Sequence, residues 1–203
     1  MKRGLLLLTF CLATCGLAYA QTPAPPSSME REFRHGGSVR MDLAPSETHV
    51  TAATGDRITV RWETKTLRQL RDVKVSIDTK GSEATIRTDG PHNDLRVFIE
   101  VPARSDLYIR MSAGELHIEG IEGDKDVELR AGELHIDVLD PQSYERVDAS
   151  VRAGEVNAAP FDVEKGGLFR SFQWRGHGRY RLHAHLTAGE LTLHSSRPSK
   201  PPV

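Results

Sequence analysis

The side chains of this chain best suited to chemistry recur at one position of a repeated unit. Glu115, Glu133, Glu155 and Glu190 each follow an Ala-Gly pair and precede Leu or Val. Carboxylates brought within roughly 5 Å of one another repel unless a cation or hydrogen bond compensates them, and such pairs suit Ca²⁺ binding or glycoside hydrolysis. Calcium loops collect several oxygens from one tight segment, and no Asp-x-Asp-x-Asp run occurs in the sequence. The plainer reading is a solvated ladder, with each Glu turned to water or met by Arg130 and Arg152.

Histidine offers a second constellation. His117 and His135 share one position of two copies, where the other two carry Asn157 and Thr192. His183 and His185 alternate with Leu182, Ala184 and Leu186, so both point outward from one strand, about 7 Å apart. With a nearby carboxylate such a pair is a candidate zinc site, although outward strand positions accept any polar residue. A third group interleaves Arg170, Arg175, Arg179 and Arg181 with Phe172, Trp174 and Tyr180. That mixture fits an acidic glycan or acidic partner, or else a cap with buried aromatics and snorkelling arginines. Gly-x-Ser-x-Gly, His-Glu-x-x-His and phosphate-cradling glycine loops are missing, so neither catalytic residues nor a cofactor are expected.

These groups need a scaffold, and the sequence predicts an all-β one. Val39, Met41 and Leu43 alternate with polar residues, as do Ile58, Val60 and Trp62, and Val73, Val75 and Ile77. Ala84 and Ile86 follow, then Leu95, Val97, Ile99 and Val101, with turns predicted at Thr54-Gly55-Asp56, Lys80-Gly81-Ser82 and Asp89-Gly90-Pro91. One short helical turn fits 66–72. From about residue 107 the pattern Φ-x-Φ-x-Ala-Gly-Glu-Φ-x-Φ occurs four times, with glycines at 114, 132, 154 and 189. Met111 and Leu116 are an odd number of residues apart, so one straight strand would place them on opposite faces. The chain must therefore bend at Ala-Gly to bury both. Spacings of 18 and 22 residues suit one coil of a β-solenoid, with like residues stacked on like. The longer last interval reads as an excursion that caps the stack. An antiparallel β-sandwich is the alternative.

Met1-Lys2-Arg3, an apolar run and Ala18-Tyr19-Ala20 make residues 1–20 a secretory signal peptide. Both cysteines lie inside it. In an alternative reading, Leu12-Ala13-Thr14-Cys15 resembles a lipobox and Cys15 carries a lipid anchor. Residues 21–33 read as a Pro/Ser-rich spacer, 34–194 as one β-rich domain and 195–203 as a disordered tail. Cleavage leaves 25 basic and 28 acidic side chains. That balance argues against nucleic acid as a partner, and no second apolar run is long enough to span a membrane.

His49-Val-Thr-Ala-Ala-Thr-Gly-Asp-Arg-Ile-Thr-Val60, the Val101-Pro102-Ala103 step and the Gly-Glu strand pairs together resemble the bacterial putative-adhesin domain. The resemblance runs from Arg34 to His194, with Ala-Gly-Glu where that family more often has Ser-Gly-Asp. It implies a β-solenoid-like fold and a periplasmic or surface location, and it transfers no catalytic residue. The functional expectation is a non-enzymatic exported protein that presents a β-surface to an envelope protein or a glycan. The alternatives are a carboxylate-dependent polysaccharide-acting enzyme and a structural accessory to an envelope partner.

Overall fold

A computed structural model describes residues 27–196. The signal segment, Cys15, the start of the spacer and the tail beyond 196 lie outside the described residues. Alternation in the sequence becomes strand throughout. The first strands are β1 (Ser28–Glu32), β2 (Gly37–Leu43), β3 (Ser46–Ala53) and β4 (Arg57–Glu63). After helix α1 (Leu67–Asp72) come β5 (Lys74–Lys80), β6 (Glu83–Asp89) and β7 (Arg96–Pro102). The longer strands are β8 (Ser105–Glu119), β9 (Lys125–Asp137), β10 (Tyr144–Ala158), β11 (Val163–Arg175) and β12 (Tyr180–His194). The chain is all-β, as its alternation predicts. The short helix is also where it was expected, capped by the Thr66 hydroxyl, which accepts from Gln69 N at 3.3 Å.

All twelve strands join one mixed sheet that folds over along a row of corners. The first half of β8 pairs in parallel with β2 and its second half with β3, while β9 follows β8 across both halves. One wing therefore runs β5-β6-β2 and the other β1-β4-β7-β3, and both continue through β8, β9, β12, β10 and β11. Leu107, Ile109 and Met111 are buried before the corner and Leu116 and Ile118 after it, so the inward parity switches where the odd spacing requires. Each fully buried Leu, Ile or Val contributes about 1.5–3 kcal/mol relative to exposure.

The corner depends on glycine. Gly114, Gly132, Gly154 and Gly189 have φ between +118° and +139°. They also stack on one another so closely that a Cβ on Gly132 would lie 1.8 Å from the Gly114 carbonyl oxygen. No L side chain satisfies both the angle and the contact.

Two expectations change. Like stacks on like, but not in chain order: Gly132 pairs with Gly189, and Gly189 with Gly154, so β12 lies between β9 and β10. Four near-identical units accept one another equally well in any order, and their spacing carries no information about which are neighbours. The excursion after β10 folds back as β11, antiparallel to β10 over nearly its whole length, and ends the stack. Ser28–Glu32, assigned to the spacer on composition, instead forms β1, antiparallel to β4. Its charged residues sit on an exposed sheet edge, while Met29 packs against the core and Phe33, just beyond it, is buried. Of the tail residues, Ser196 donates from its hydroxyl to Asp137 Oδ2 at 2.6 Å.

Candidate functional site

The outer face of the second wing is built from every other residue of β3, β8, β9, β12 and β10. Because Leu116 and Ile118 turn inward, Glu115 and His117 must turn out, and the same holds on each neighbouring strand. Parallel pairing in strict register then produces two columns. The first is Glu47, Glu115, Glu133, Glu190 and Glu155. The second is His49, His117, His135, Thr192 and Asn157, extended past His49 by Phe98 of β7.

The rings of the second column stack face to face. Centroid separations are 5.5 Å from Phe98 to His49, 4.7 Å from His49 to His117 and 4.6 Å from His117 to His135. Interplanar angles fall from 12° to 4° along the column. Arg61 and Arg96 place their guanidinium groups 5.7 and 5.6 Å from the Phe98 ring centroid and so close that end of the stack.

The two columns are joined within β3, β8, β9 and β12. His49 Nε2 lies 3.1 Å from Glu47, His117 Nε2 lies 2.6 Å from Glu115, and His135 Nε2 lies 3.6 Å from Glu133. Thr192 takes the histidine role on β12, donating to Glu190 at 3.1 Å. Glu47, Glu115, Glu133 and Glu190 are thus met by the residue two places along the strand, while Glu115 and Glu133 stay about half exposed. Of the two fates expected for the ladder, water or Arg130 and Arg152, the first fits these side chains. Among the described residues, fixed positive charge is paired with the column at one end, by Arg96, which lies 3.2 Å from Glu47 and 3.8 Å from Glu63. The Glu47 carboxyl is held below its ordinary range, first by its hydrogen bond with His49 and then by Arg96, against the opposing effect of burial.

Beside the corners this face borders an open groove of about 1090 Å³, lined by Glu47, Glu63, Asp94, Glu115 and Glu133, with Lys65 and Arg96. Lys65 pairs with Asp94 and Arg96 with Glu47 and Glu63. Among the described residues, the ion pairs of Glu115 and Glu133 are with His117 and His135.

The sequence reading identified Glu115, Glu133, Glu155, Glu190, His117 and His135 as one ladder, and the structure brings them into one. It missed Glu47, His49 and Phe98. The signal was present as a third Glu-x-His triplet, Glu47-Thr48-His49, matching Glu115-Leu116-His117 and Glu133-Leu134-His135. It was hidden because Pro45-Ser46 stands where the other copies have Ala-Gly.

His183 and His185 lie on the other wing and point outward from β12. His183 is in register between Asp126 and Asp148, and His185 Nδ1 lies 2.9 Å from the Ser150 hydroxyl. Among the described residues, the metal-ligating side chains that do cluster are Glu115, His117 and His135, whose ligand atoms all lie within 4.8 Å of one another. In the Arg170, Trp174, Arg175 and Arg179 group the aromatics serve packing: Phe172 is buried, and Trp174 rests 5.0 Å from the Phe161 ring. Arg170 donates to the Gly166 carbonyl at 2.6 Å, Arg175 is exposed, and Arg179 lies over Tyr180 at 4.6 Å.

A separate buried cation occupies the first position of β9. Lys125 is 2% exposed, and its ammonium donates to the Ile121 and Gly123 carbonyls and to the Tyr144 hydroxyl at 2.8, 3.3 and 2.8 Å. Burial pulls it down to about 8, against the attraction of Asp137, Asp124 and other acids. Burial also raises the Tyr144 phenol.

No family model matches the chain, and no curated protein does. Solved structures do. A "putative cell adhesion protein" from Clostridium sporogenes ATCC 15579 superposes with a TM-score of 0.52 at 12% identity, over 83% of this chain and 99% of that one. A "putative adhesin" from Bacteroides fragilis NCTC 9343 gives a TM-score of 0.32 at 10% identity, over 84% of this chain and 99% of that one. The first likeness is one of fold, and the second is too distant to carry an argument.

Proposed function

We propose that this chain is a non-enzymatic exported protein whose second wing binds an envelope partner, protein or glycan, through its ladder face. The carrying observation is the continuous column of glutamates and stacked rings on one regular face, backed by a buried core and ending beside an open groove. A face with charges at fixed strand spacing recognises a partner by complementarity, and regular pairing pre-organises it at little entropic cost. Such a face complements a partner carrying repeated positive or hydrogen-bond-donating groups. The fold shared with the Clostridium sporogenes protein is compatible with this reading.

A polysaccharide-acting enzyme is the competing reading, since Glu115 and Glu133 line the groove together. A general acid needs a carboxyl raised toward neutrality. Glu47, at the head of this column, does not meet that need, because its hydrogen bond with His49 and then Arg96 hold its carboxyl below the ordinary range, which leaves Glu115 and Glu133 as the pair to test. One experiment separates the two. The purified domain, residues 21–203, is used to capture partners from envelope extract and is also incubated with envelope polysaccharides. Binding by the wild type that is lost in Glu115→Gln/Glu133→Gln is the expected result. Polysaccharide turnover that Glu133→Gln abolishes would overturn it, as would capture that ignores both substitutions.

A further inference from the structure

We propose that Glu115, His117 and His135 form a binding site for a divalent transition-metal ion of the zinc type. This inference stands on local geometry and does not depend on the ladder face taking a macromolecular partner.

Three observations meet here. Two imidazoles and one carboxylate present ligand atoms within 4.8 Å of one another, with His117 Nε2 and Glu115 Oε1 already 2.6 Å apart. A His₂-carboxylate set with an open fourth position is a donor combination that zinc accepts in tetrahedral geometry, at roughly 2.0–2.2 Å per ligand. The imidazoles disfavour calcium and magnesium, which prefer all-oxygen shells.

The second observation is charge. Along the column from Glu63 to Glu133, Arg96 answers Glu63 and Glu47. Among the described residues, the ion pairs of the next two carboxylates are with histidines, and no guanidinium or ammonium group is paired with them. A divalent cation at that point supplies the positive charge that the strand register leaves out.

The third observation is rigidity. His117 and His135 are held parallel at 4.6 Å by stacking and by the in-register pairing of β8 with β9, and both side chains are about three-quarters covered, at 22% and 24% exposed. The site is therefore largely pre-organised. Tilting the two rings toward one another closes the remaining distance, and the metal replaces the hydrogen-bonded contact between His117 Nε2 and Glu115, with the ring hydrogen on Nδ1. The open position of the shell faces solvent beside the groove, where water or a partner's side chain completes it.

The test uses the domain of residues 21–203 without a histidine tag, titrated with ZnCl₂ and, separately, CaCl₂ by calorimetry. Cobalt absorption reports the coordination geometry. The expected result is one zinc per chain, tetrahedral cobalt bands and no calcium binding. His117→Asn and His135→Thr should each weaken zinc by about tenfold or more. These substitutions place in the column the residues that β10 and β12 already carry there, Asn157 and Thr192, so the stack tolerates them. Glu115→Gln provides a second probe that leaves both rings in place, and circular dichroism checks each variant for folding. His183→Ala/His185→Ala should bind as the wild type does. Absence of zinc binding, equal calcium binding, or loss of zinc in the His183/His185 variant but not in the column variants would each overturn the proposal.

Discussion

Lys125 shows what a single buried charge does to this molecule. Its ammonium is surrounded by two carbonyls and a phenol, and burial lowers its pKa from 10.5 to about 8. Between those values the unfolded chain holds a proton that the folded chain has released, so stability rises with pH across this window. The penalty present below pH 8 is removed by about pH 10, a gain of up to about 3 kcal/mol, before ionisation of Tyr144 in the unfolded state opposes it. Urea unfolding of the wild type at pH 7 to 10 should show that rise, and Lys125→Met should flatten it. Gly132 is the opposite case, a residue whose value lies in having no side chain. Gly132→Ala must place a methyl against the Gly114 carbonyl at φ +127°, and should cost roughly 2–4 kcal/mol in the same measurement. The glycine's role was legible from the odd spacing of Met111 and Leu116. The lysine's was not, because a lysine beginning a strand looks like any solvated residue until the 120–124 and 144 segments close over it.

Between elements, the unit of interaction is the cross-strand neighbour. Glu190 on β12 has Glu133 on one side and Glu155 on the other, with Thr192 donating to it where β8 and β9 carry a histidine. Glu190→Gln removes one charge from the middle of three and should stabilise the fold by a few tenths of a kcal/mol at low salt. Thermal melts in 20 mM and 1 M NaCl check this, and the gain should vanish at the higher salt. The strands themselves were readable from alternation, as was the column of identical residues, because register follows from repeating the same burial pattern. The membership of β3 and β7 in that column was not. Pro45-Ser46 breaks the motif there, and Phe98 replaces histidine, so only the Glu-x-His spacing betrayed β3. The Glu-to-His pairing likewise escaped notice, although residues i and i+2 of any strand share a face.

For the molecule as a whole, the sequence specified an all-β chain with a parity-switching bend, and the structure has both. It did not specify the order of the stack, since repeated units are interchangeable partners and burial alone does not rank them. The order found has a consequence for how the molecule comes into being. β12, the last of the described strands and 15 residues long, is not added to an edge but sits between β9 and β10. Until it arrives, those two strands have no shared hydrogen-bond ladder, and the β10–β11 hairpin has nothing to dock on. A chain made N-terminus first therefore cannot join β10 and β11 to the rest of the sheet until Tyr180–His194 has emerged. Contacts of such long sequence separation close slowly compared with a hairpin, so this joining step is a late one in folding.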